Sequence, residues 1–230
     1  MNQINEPKTS LQFSFMGEGA LLCEVVNANA KLELVVQQRI WQLAHSVKEQ
    51  LGVLEVVPGM NNLLVVFDPI RDLVTNLKAQ IQHLWMVQLA TSTDNCSAKL
   101  HHIPVVYGGD MGVDIVDLAA YAGLSVEEVI ERHSQAEYTV YALGSQPGLP
   151  YLGGLDPQLN KPRRASARTQ VKAGAVIIGG SQASVLSRTS ACGWHIIGYT
   201  AIECFNPASE PAALFSPGDT VKFIVEEVRL

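Results

Sequence analysis

The chain has 230 residues, enough for one large domain or two small ones with a sizeable core. Its apolar fraction of 47% and charged fraction of 17% are those of a folded protein. A net charge of −6 argues against a general binder of nucleic acid or anionic membranes. No apolar run approaches the roughly 18 residues of a membrane span, and the N-terminal segment lacks the basic and apolar regions of a secretion signal. We therefore expect a cytoplasmic protein that binds neither nucleic acid nor membrane.

The first hundred residues predict the order β-α-β-β-α-β. We expect strands at 21–26, 53–57, 63–67 and 100–106, with a Pro58-Gly59 turn between the second and third. Apolar residues at helical spacing predict one helix over 32–51, and a second runs from Pro69 to about residue 89. Residues 91–98 are polar and predict a loop. This order is typical of a split β-α-β, ferredoxin-like sandwich.

The second part of the chain differs in character. Helices are predicted over 114–122 and 125–134, the latter opened by a capping box of Ser125 and Glu128. Short β runs follow at 138–143, 175–179, 194–199, 201–205 and 220–225, separated by Gly and Pro. Many short strands divided by turn residues predict a barrel or sandwich. The predicted fold is therefore α+β, with an N-terminal α/β domain over 1–97 and a β-rich domain over 98–230.

A long stretch of the second part carries no acidic residue. Residues 157–202 contain neither Asp nor Glu, but they include six cations: Lys161, Arg163, Arg164, Arg168, Lys172 and Arg188. Arginine binds carboxylates and phosphates through its planar fork, so this stretch indicates an anionic ligand or an acidic partner surface. The alternative is a solvated basic loop that pairs with acids elsewhere in the fold.

One glycine-rich segment precedes this basic stretch, and a second lies within it. The first, residues 144–154, combines glycines that allow close backbone approach with prolines that stiffen the path, so it predicts either an oxyanion-binding loop or a tightly turned structural one. The second covers 179–182 and 190–195. There Gln182 could hydrogen-bond an amide-like ligand, and Trp194 is either a pocket wall or part of the core.

Histidines and cysteines give weaker signals. His101 and His102 are adjacent in a predicted strand, so at most one of them faces any site, and His133 is expected to be structural at a helix end. The four cysteines show no zinc-ligand spacing, so no metal site is predicted, and only Cys192 is a candidate for a reactive thiol. No Walker loop occurs, so any ATP requires a nucleotide site that a different polypeptide helps to form.

An ordered series of motifs resembles one protein family over nearly the whole chain. The segment from Gly144 to Leu155 is similar to that family's Gly-Phe-x-Pro-Gly-Phe-x-Tyr-Leu-Gly-Gly-Leu loop. Further matches are Pro162-Arg163, Arg168, Gly180 with Gln182, Gly193-Trp194, Ile197–Thr200, Asp114, His133 and Pro217–Asp219. The family contains the B component of bacterial 5-oxoprolinase, a sporulation-type inhibitor of histidine kinases and the allophanate hydrolase subunit 1 proteins.

The resemblance implies a cyclophilin-like barrel after the α/β domain, and one component of a hydrolase that acts only in a complex. Such complexes use ATP, with Mg²⁺, to convert 5-oxoproline to L-glutamate, with the C component of 5-oxoprolinase as the direct partner and the A component as the third member. The implied binding residues are Pro147, Gly148, Tyr151, Gly153, Gly154, Arg163, Arg168, Gln182 and Trp194. His102 or Tyr107 would assist proton transfer. Arg168 is expected to be a surface site residue whose loss leaves the melting temperature nearly unchanged.

Several family positions are altered in this chain. Ser145 and Leu149 stand where the family loop has phenylalanines, and Tyr199 stands where it has arginine. These changes alter the shape and charge of a pocket more than they alter a fold. Two alternatives to the oxoprolinase component therefore stay open. One is a regulatory protein that inhibits a sensor histidine kinase, and the other is a diverged hydrolase component that uses another amide or urea-like substrate.

Overall fold

The structure is a computed structural model that describes residues 10–26, 33–50, 52–70, 74–87 and 98–229. The chain divides into two compact units, residues 1–95 and 96–230. The predicted domain boundary after residue 97 lies at the edge of residues outside those described, and so does the predicted loop over 91–98 except for residue 98. The same holds for the predicted helix ends at residues 32, 51, 88 and 89.

The N-terminal unit is one antiparallel sheet with two helices. Its elements are β1 (Ser10–Phe15), β2 (Ala20–Val26), α1 (Leu34–Lys48), β3 (Val53–Pro58), β4 (Asn62–Phe67) and α2 (Val74–Val87). The strands lie in the order β1-β2-β4-β3, and every neighbouring pair is antiparallel. Because β2 and β3 flank β4 and are joined through α1, the predicted split β-α-β unit is confirmed.

Alternation along the strands explains the core of this unit. Strand residues point to opposite faces in turn, so Leu21 and Cys23 of β2 are fully buried while Glu24 is exposed. The helices contribute apolar residues one turn apart, as Ile40 and Leu43 do in α1. The predicted turn at Pro58-Gly59 is confirmed by a hydrogen bond from the Gly59 N–H to the Asn62 carbonyl, at 2.9 Å.

One predicted strand of this unit was assigned wrongly. The strand that begins at residue 100 pairs with strands of the second unit and does not complete the N-terminal sheet. The fourth place in the sheet is taken by β1, which the sequence did not reveal, because SLQFSF has only three apolar residues. In β1, Leu11 and Phe13 pack against the core, and Phe15 is 58% exposed.

The second unit is a closed barrel with two helices. It contains β5 (Leu100–Gly108), α3 (Ile115–Ala122), α4 (Val126–Gln135), β6 (Tyr138–Leu143), β7 (Pro150–Gly153), β8 (Arg168–Val171), β9 (Ala175–Gly179), β10 (Gln182–Val185), β11 (Ser190–Cys192), β12 (His195–Tyr199) and β13 (Thr220–Arg229). Seven strands close the barrel in the order β10-β7-β6-β13-β5-β12-β9, and β8 and β11 form a separate antiparallel pair. The barrel therefore closes where β10 meets β9.

The predicted helices and most predicted strands of this unit are confirmed. Ser125 and Glu128 form the expected capping box at the start of α4. The strand predicted over 201–205 is wrong: the segment makes only an isolated bridge, between Phe205 and Ala213. Of its residues only Cys204 is buried, at 2% exposure, and it is buried by packing and not by a strand ladder.

The barrel interior is filled by side chains from every wall strand and both helices. Among the largest buried groups are Tyr107, Tyr138 and Phe223, which surround the ring of His133 from α4. This packing makes the interior a solid core with no room for a ligand channel among these side chains. In the described part of the chain, no helix has the length and apolar character needed to cross a membrane.

Candidate functional site

A pocket lies on the outer side of the barrel wall. Leu152 of β7 and Ala183 of β10 point into the barrel core. Because successive strand residues face opposite sides, their neighbours Tyr151 and Ser184 point outwards, and both line the pocket. The barrel strands thus supply a rigid floor, and the segments between them supply the walls.

The pocket has a volume of about 180 Å³. Its lining comes from three segments: Ser145, Gln146, Leu149 and Tyr151; Arg163; and Ile177, Ser184, Leu186, Ala191, Cys192, Gly193 and Trp194. Residues of both predicted glycine-rich segments and one cation of the acid-free stretch therefore meet in one place. Sites for drug-sized ligands span roughly 300–1,000 Å³, so this pocket fits a smaller metabolite.

The loop before β7 is held in a defined shape. Gly148 has a φ of +73°, and a Cβ there would lie 2.6 Å from the Cys204 carbonyl oxygen, so the position requires glycine. Ser145 also has a positive φ, +56°, which is uncommon for a residue with a side chain. The amide of Gln146 hydrogen-bonds the Ser190 hydroxyl, which ties the loop to β11.

Arg163 is the cation at the pocket. Its guanidinium carbon lies 5.2 Å from the centre of the Trp194 ring, within cation–π range. The side chain is exposed, and no carboxylate among the described residues pairs with it. It therefore offers an unneutralised positive charge to the pocket.

Asp114 pairs with two neighbouring arginines. Arg168 donates to both of its oxygens at 2.8 Å, and Arg164 donates to Oδ1 at 3.2 Å. The Ile196 N–H also donates to Asp114, at 2.8 Å. Burial would raise the pKa of the Asp114 carboxyl, but the hydrogen bonds from Arg168 and Ile196 and the charges of both arginines outweigh it and lower that pKa. The Asp114 side chain is 6% exposed, so this is a largely desolvated ion cluster.

The six cations of the acid-free stretch thus have different environments. Lys161 pairs with Asp117, and Arg164 and Arg168 pair with Asp114. For these three the alternative interpretation, pairing with acids elsewhere in the fold, is the correct one. Lys172 and Arg188 are exposed and have no ion pair within the described ranges.

The structure gives Arg168 a different environment from the one expected. It was predicted as a surface residue whose loss leaves stability unchanged. Its guanidinium instead forms the bidentate pair with buried Asp114, and its strand β8 pairs with β11. Removing Arg168 would leave the buried Asp114 carboxylate with only Arg164 and the Ile196 N–H as partners, so we expect a change at Arg168 to lower stability.

The other predicted binding residues fall in and around the pocket. Tyr151 and Trp194 line it. Pro147 is exposed on the loop, and Gln182 is buried on the same face of β10 as Ser184, by the alternation of that strand. Gly153 faces the Tyr141 ring, which would lie 2.7 Å from an added Cβ. Its role is therefore to admit that ring, and Gly154 follows it with a φ of +106°.

The predicted proton-transfer residues lie apart from this pocket. His102 is exposed on the outer face of β5, and Tyr107 is fully buried in the barrel core, where its hydroxyl lies 2.8 Å from Nδ1 of His133. Burial raises the pKa of Tyr107 far above its usual range and lowers the pKa of His133 to about 3. Tyr107 and His133 therefore form a neutral structural pair, as was expected for His133.

Three important residues carried little sequence signal. Asp114 was noted only as a family match, because its partners are 50 and 54 residues away along the chain. Ser184 stands between two core residues of β10, a polar position in an apolar run that could have marked an outward-facing site residue. Cys192, the candidate reactive thiol, lines the pocket and is 9% exposed. In the described ranges, no group of three or more potential ligands is placed to hold a metal ion.

Comparison with known proteins places the chain in a family. Residues 11–215 match the family model described as carboxyltransferase domain, subdomain C and D. The chain is 40% identical over 212 residues to the B component of 5-oxoprolinase from Escherichia coli O157:H7, an alignment that covers 92% of this chain and 94% of that protein. The crystal structure of TTHA0988 has a TM-score of 0.75 and 28% identity, and the match covers 90% of this chain and 40% of that one.

A more distant structure shares the fold alone. The urea amidolyase of Kluyveromyces lactis gives a TM-score of 0.77 at 21% identity, with 94% of this chain and 15% of that one covered. The chain thus corresponds to about two fifths of TTHA0988 and about a seventh of the amidolyase. From the family model and the bacterial relative, the chain belongs to the carboxyltransferase-domain family that includes the B component of 5-oxoprolinase.

Proposed function

We propose that the chain is the B component of an ATP-dependent 5-oxoprolinase complex, which converts 5-oxoproline to L-glutamate together with an A and a C component. The name of the relative from Escherichia coli supports this assignment. The structural observation that carries it is the pocket with one unneutralised cation, Arg163, above an aromatic wall.

The chemistry of 5-oxoproline matches this lining. The molecule has one carboxylate and one neutral lactam, so it needs one cation and several neutral donors and acceptors. Arg163 supplies the cation, and Ser145 and Gln146 supply neutral polar groups on the loop. Tyr151 and Trp194 provide the apolar walls against which a five-membered ring can pack.

ATP makes the lactam reactive. An unstrained amide is a poor electrophile, and transfer of the γ-phosphoryl group of ATP to its oxygen activates the carbon and releases ADP. One water then adds to the carbon and the C–N bond breaks, which gives an acyl phosphate and a free amine, and a second water displaces phosphate to give glutamate. We place the ATP and its Mg²⁺ at a site that a partner protein helps to form. The pocket lining in the described ranges contains no carboxylate to hold Mg²⁺. We therefore expect activity only in the complex, with the C component as the direct partner.

We also propose fold families for the two units. The sheet order and split β-α-β unit of the N-terminal unit fit a ferredoxin-like sandwich in which β1 replaces the usual last strand. The seven-stranded barrel fits a cyclophilin-like one. Such a barrel does not imply prolyl isomerase activity, because function depends on the site and not on the fold.

The test is glutamate release from 5-oxoproline and ATP by the chain co-purified with its candidate partners, the A and C components of 5-oxoprolinase. We expect glutamate to form together with ADP, and only when this chain is present. The control is the same preparation of the two partners without it. Full activity without the chain would contradict the proposal. Failure to bind the C component, together with binding to a histidine-kinase dimerisation domain, would favour the regulatory alternative.

A further inference from the structure

We infer that Arg163 recognises a carboxylate because two residues on other elements, His195 and Asp114, hold its chain neighbours in place, His195 through the Pro162 backbone and Asp114 through the Arg164 side chain. This inference rests on the proposed function and names the positioning residues for its substrate. Arg163 is flanked by Pro162 and Arg164, and each of these neighbours is fixed by hydrogen bonds to a different group.

His195 fixes the N-terminal side. Its Nε2 lies 2.8 Å from the Pro162 carbonyl oxygen, and because a carbonyl can only accept, Nε2 must carry the proton. The His195 residue is 4% exposed, so this bond is shielded from water. The Pro162 carbonyl belongs to the peptide group that contains the Arg163 nitrogen, so the bond fixes the plane from which Arg163 starts.

Arg164 is held on the C-terminal side by two contacts. Its backbone N–H donates to the Gly193 carbonyl at 2.8 Å, and its side chain donates to Asp114. The Asp114 N–H itself donates to the Ile196 carbonyl at 2.9 Å, so the carboxylate is anchored to β12 through its own backbone. The residues on both sides of Arg163 are thus connected by hydrogen bonds to β12 or to the segment directly before it.

The same network explains why Arg163 is the residue that distinguishes a negatively charged ligand from a neutral one. The guanidinium groups of Arg164 and Arg168 are both held by Asp114, and neither side chain lines the pocket, so neither can replace Arg163. A side chain presented from a fixed backbone loses less freedom on binding than one on a loose loop. Asp114 and His195 therefore act through Arg163 and need not touch the ligand.

The test compares 5-oxoproline with its uncharged amide, 5-oxoprolinamide. Both are titrated by calorimetry into the full chain and into its complex with the A and C components. We expect the wild type to prefer the acid by roughly tenfold or more, since a hydrogen bond to a charged group contributes about that much. Arg163→Ala should bind the two ligands about equally. Lys172→Ala, which removes one charge of the same basic stretch away from the pocket lining, is the matched control and should retain the preference.

The positioning role is tested separately. His195→Leu removes the donor to Pro162, so it should weaken binding of the acid several-fold and leave binding of the amide unchanged. His195→Gln retains an N–H donor of similar reach and should restore most of the preference. Asp114→Asn should act like His195→Leu, and the His195 pair keeps the test decisive if the Asp114 variant does not fold.

Three results would overturn the inference. One is an acid preference that survives Arg163→Ala. Another is an equal loss of affinity for both ligands in His195→Leu, which would make the role of His195 merely structural. The third is no binding of either ligand to the chain or the complex, which would remove the pocket as the substrate site. Glutamate release by the complex is measured independently and decides the proposed function in each case.

Discussion

A single carboxylate, Asp114, determines how the basic stretch of this protein behaves. It accepts two bonds from Arg168, one from Arg164 and one from the backbone of β12. The net charge of residues 157–202 indicates an anionic ligand or an acidic partner surface. The structure reduces it to one available cation at the pocket, Arg163, because its closest basic neighbours along the chain are paired.

Arg168→Ala should therefore destabilise the fold. Removing the guanidinium leaves Asp114 buried with one weaker partner, and losing one member of a buried pair costs about 3 kcal/mol of unfolding free energy. Urea denaturation of the variant and of the Lys172→Ala control measures this loss. In the double variant Asp114→Ala/Arg168→Ala the losses should be clearly less than additive. A melting temperature equal to the wild type in Arg168→Ala would contradict the structural role.

Some of these single-residue roles are predictable from the sequence, and others are not. Composition indicated the two glycine-rich segments and the basic stretch as possible ligand sites, with structural alternatives left open, and the family resemblance singled out Arg163. Members of all three line one pocket. The pairing of Arg168 with Asp114 could not be predicted, because 54 residues separate the two. Nothing in the sequence distinguishes Asp114 from other acidic residues as a partner. Tyr107 gave a misleading signal, since a tyrosine in an apolar strand is compatible with either a site or a core.

Helix α4 is joined to the barrel through a buried histidine. The ring of His133 packs on Phe223 of β13 with the centroids 4.4 Å apart, and its Nδ1 bonds Tyr107 of β5. Complete burial lowers the pKa of His133 to about 3, so the ring stays neutral in the folded protein. In the unfolded chain it titrates near its ordinary value of about 6.5.

This difference predicts a loss of stability in mild acid. Below pH 6.5 the unfolded state takes up a proton that the folded state refuses down to about pH 3, so the unfolding free energy falls as the pH falls. Between pH 7 and pH 5 the loss from this residue is about 2 kcal/mol.

The measurement is urea denaturation at several pH values. The double variant Tyr107→Phe/His133→Leu removes the histidine without leaving a buried hydroxyl unpaired, so its stability should depend less on pH by that amount. Identical pH profiles for wild type and variant would show that His133 titrates normally in the fold.

Elements with a strong periodic pattern were predicted, and short elements were not. Helices α1, α3 and α4 and strands β6, β9 and β13 show apolar spacing or β-favouring runs that one can find without a structure. Strands β7, β8, β10 and β11 have three or four residues each and include Gly, Ser or Arg. These segments are strands because they pair with partners distant in the sequence, so no local sequence pattern predicts them.

The whole molecule consists of two units with separate cores. The N-terminal core takes its buried residues from 11–85, and the barrel core takes its buried residues from 103–223. The pocket and its supporting network also lie entirely within the second unit. The second unit therefore contains the groups that build its own core and pocket.

A fragment covering residues 96–230 should fold by itself and keep the pocket. We expect its circular dichroism to show a cooperative thermal transition, and its preference for 5-oxoproline over the amide to remain within about threefold of the full chain. The Arg163→Ala version of the same fragment serves as the control. A fragment without a cooperative transition would show that the first unit is required for the barrel to form.

The pairing of β5 with β13 has a consequence for how the protein is made. These are the first and last strands of the barrel, and they run parallel from Leu100 and Thr220 to Gly108 and Arg229. During translation β13 is the last strand of the barrel to be synthesised. The edge of β5 that pairs with β13 therefore stays unpaired until the rest of the second unit has been made. Closure is therefore a late event that depends on widely separated segments, and such folding is slow and exposed to aggregation. Premature termination even a few residues before β13 would leave a chain with a complete pocket sequence but no means of closing the barrel beneath it.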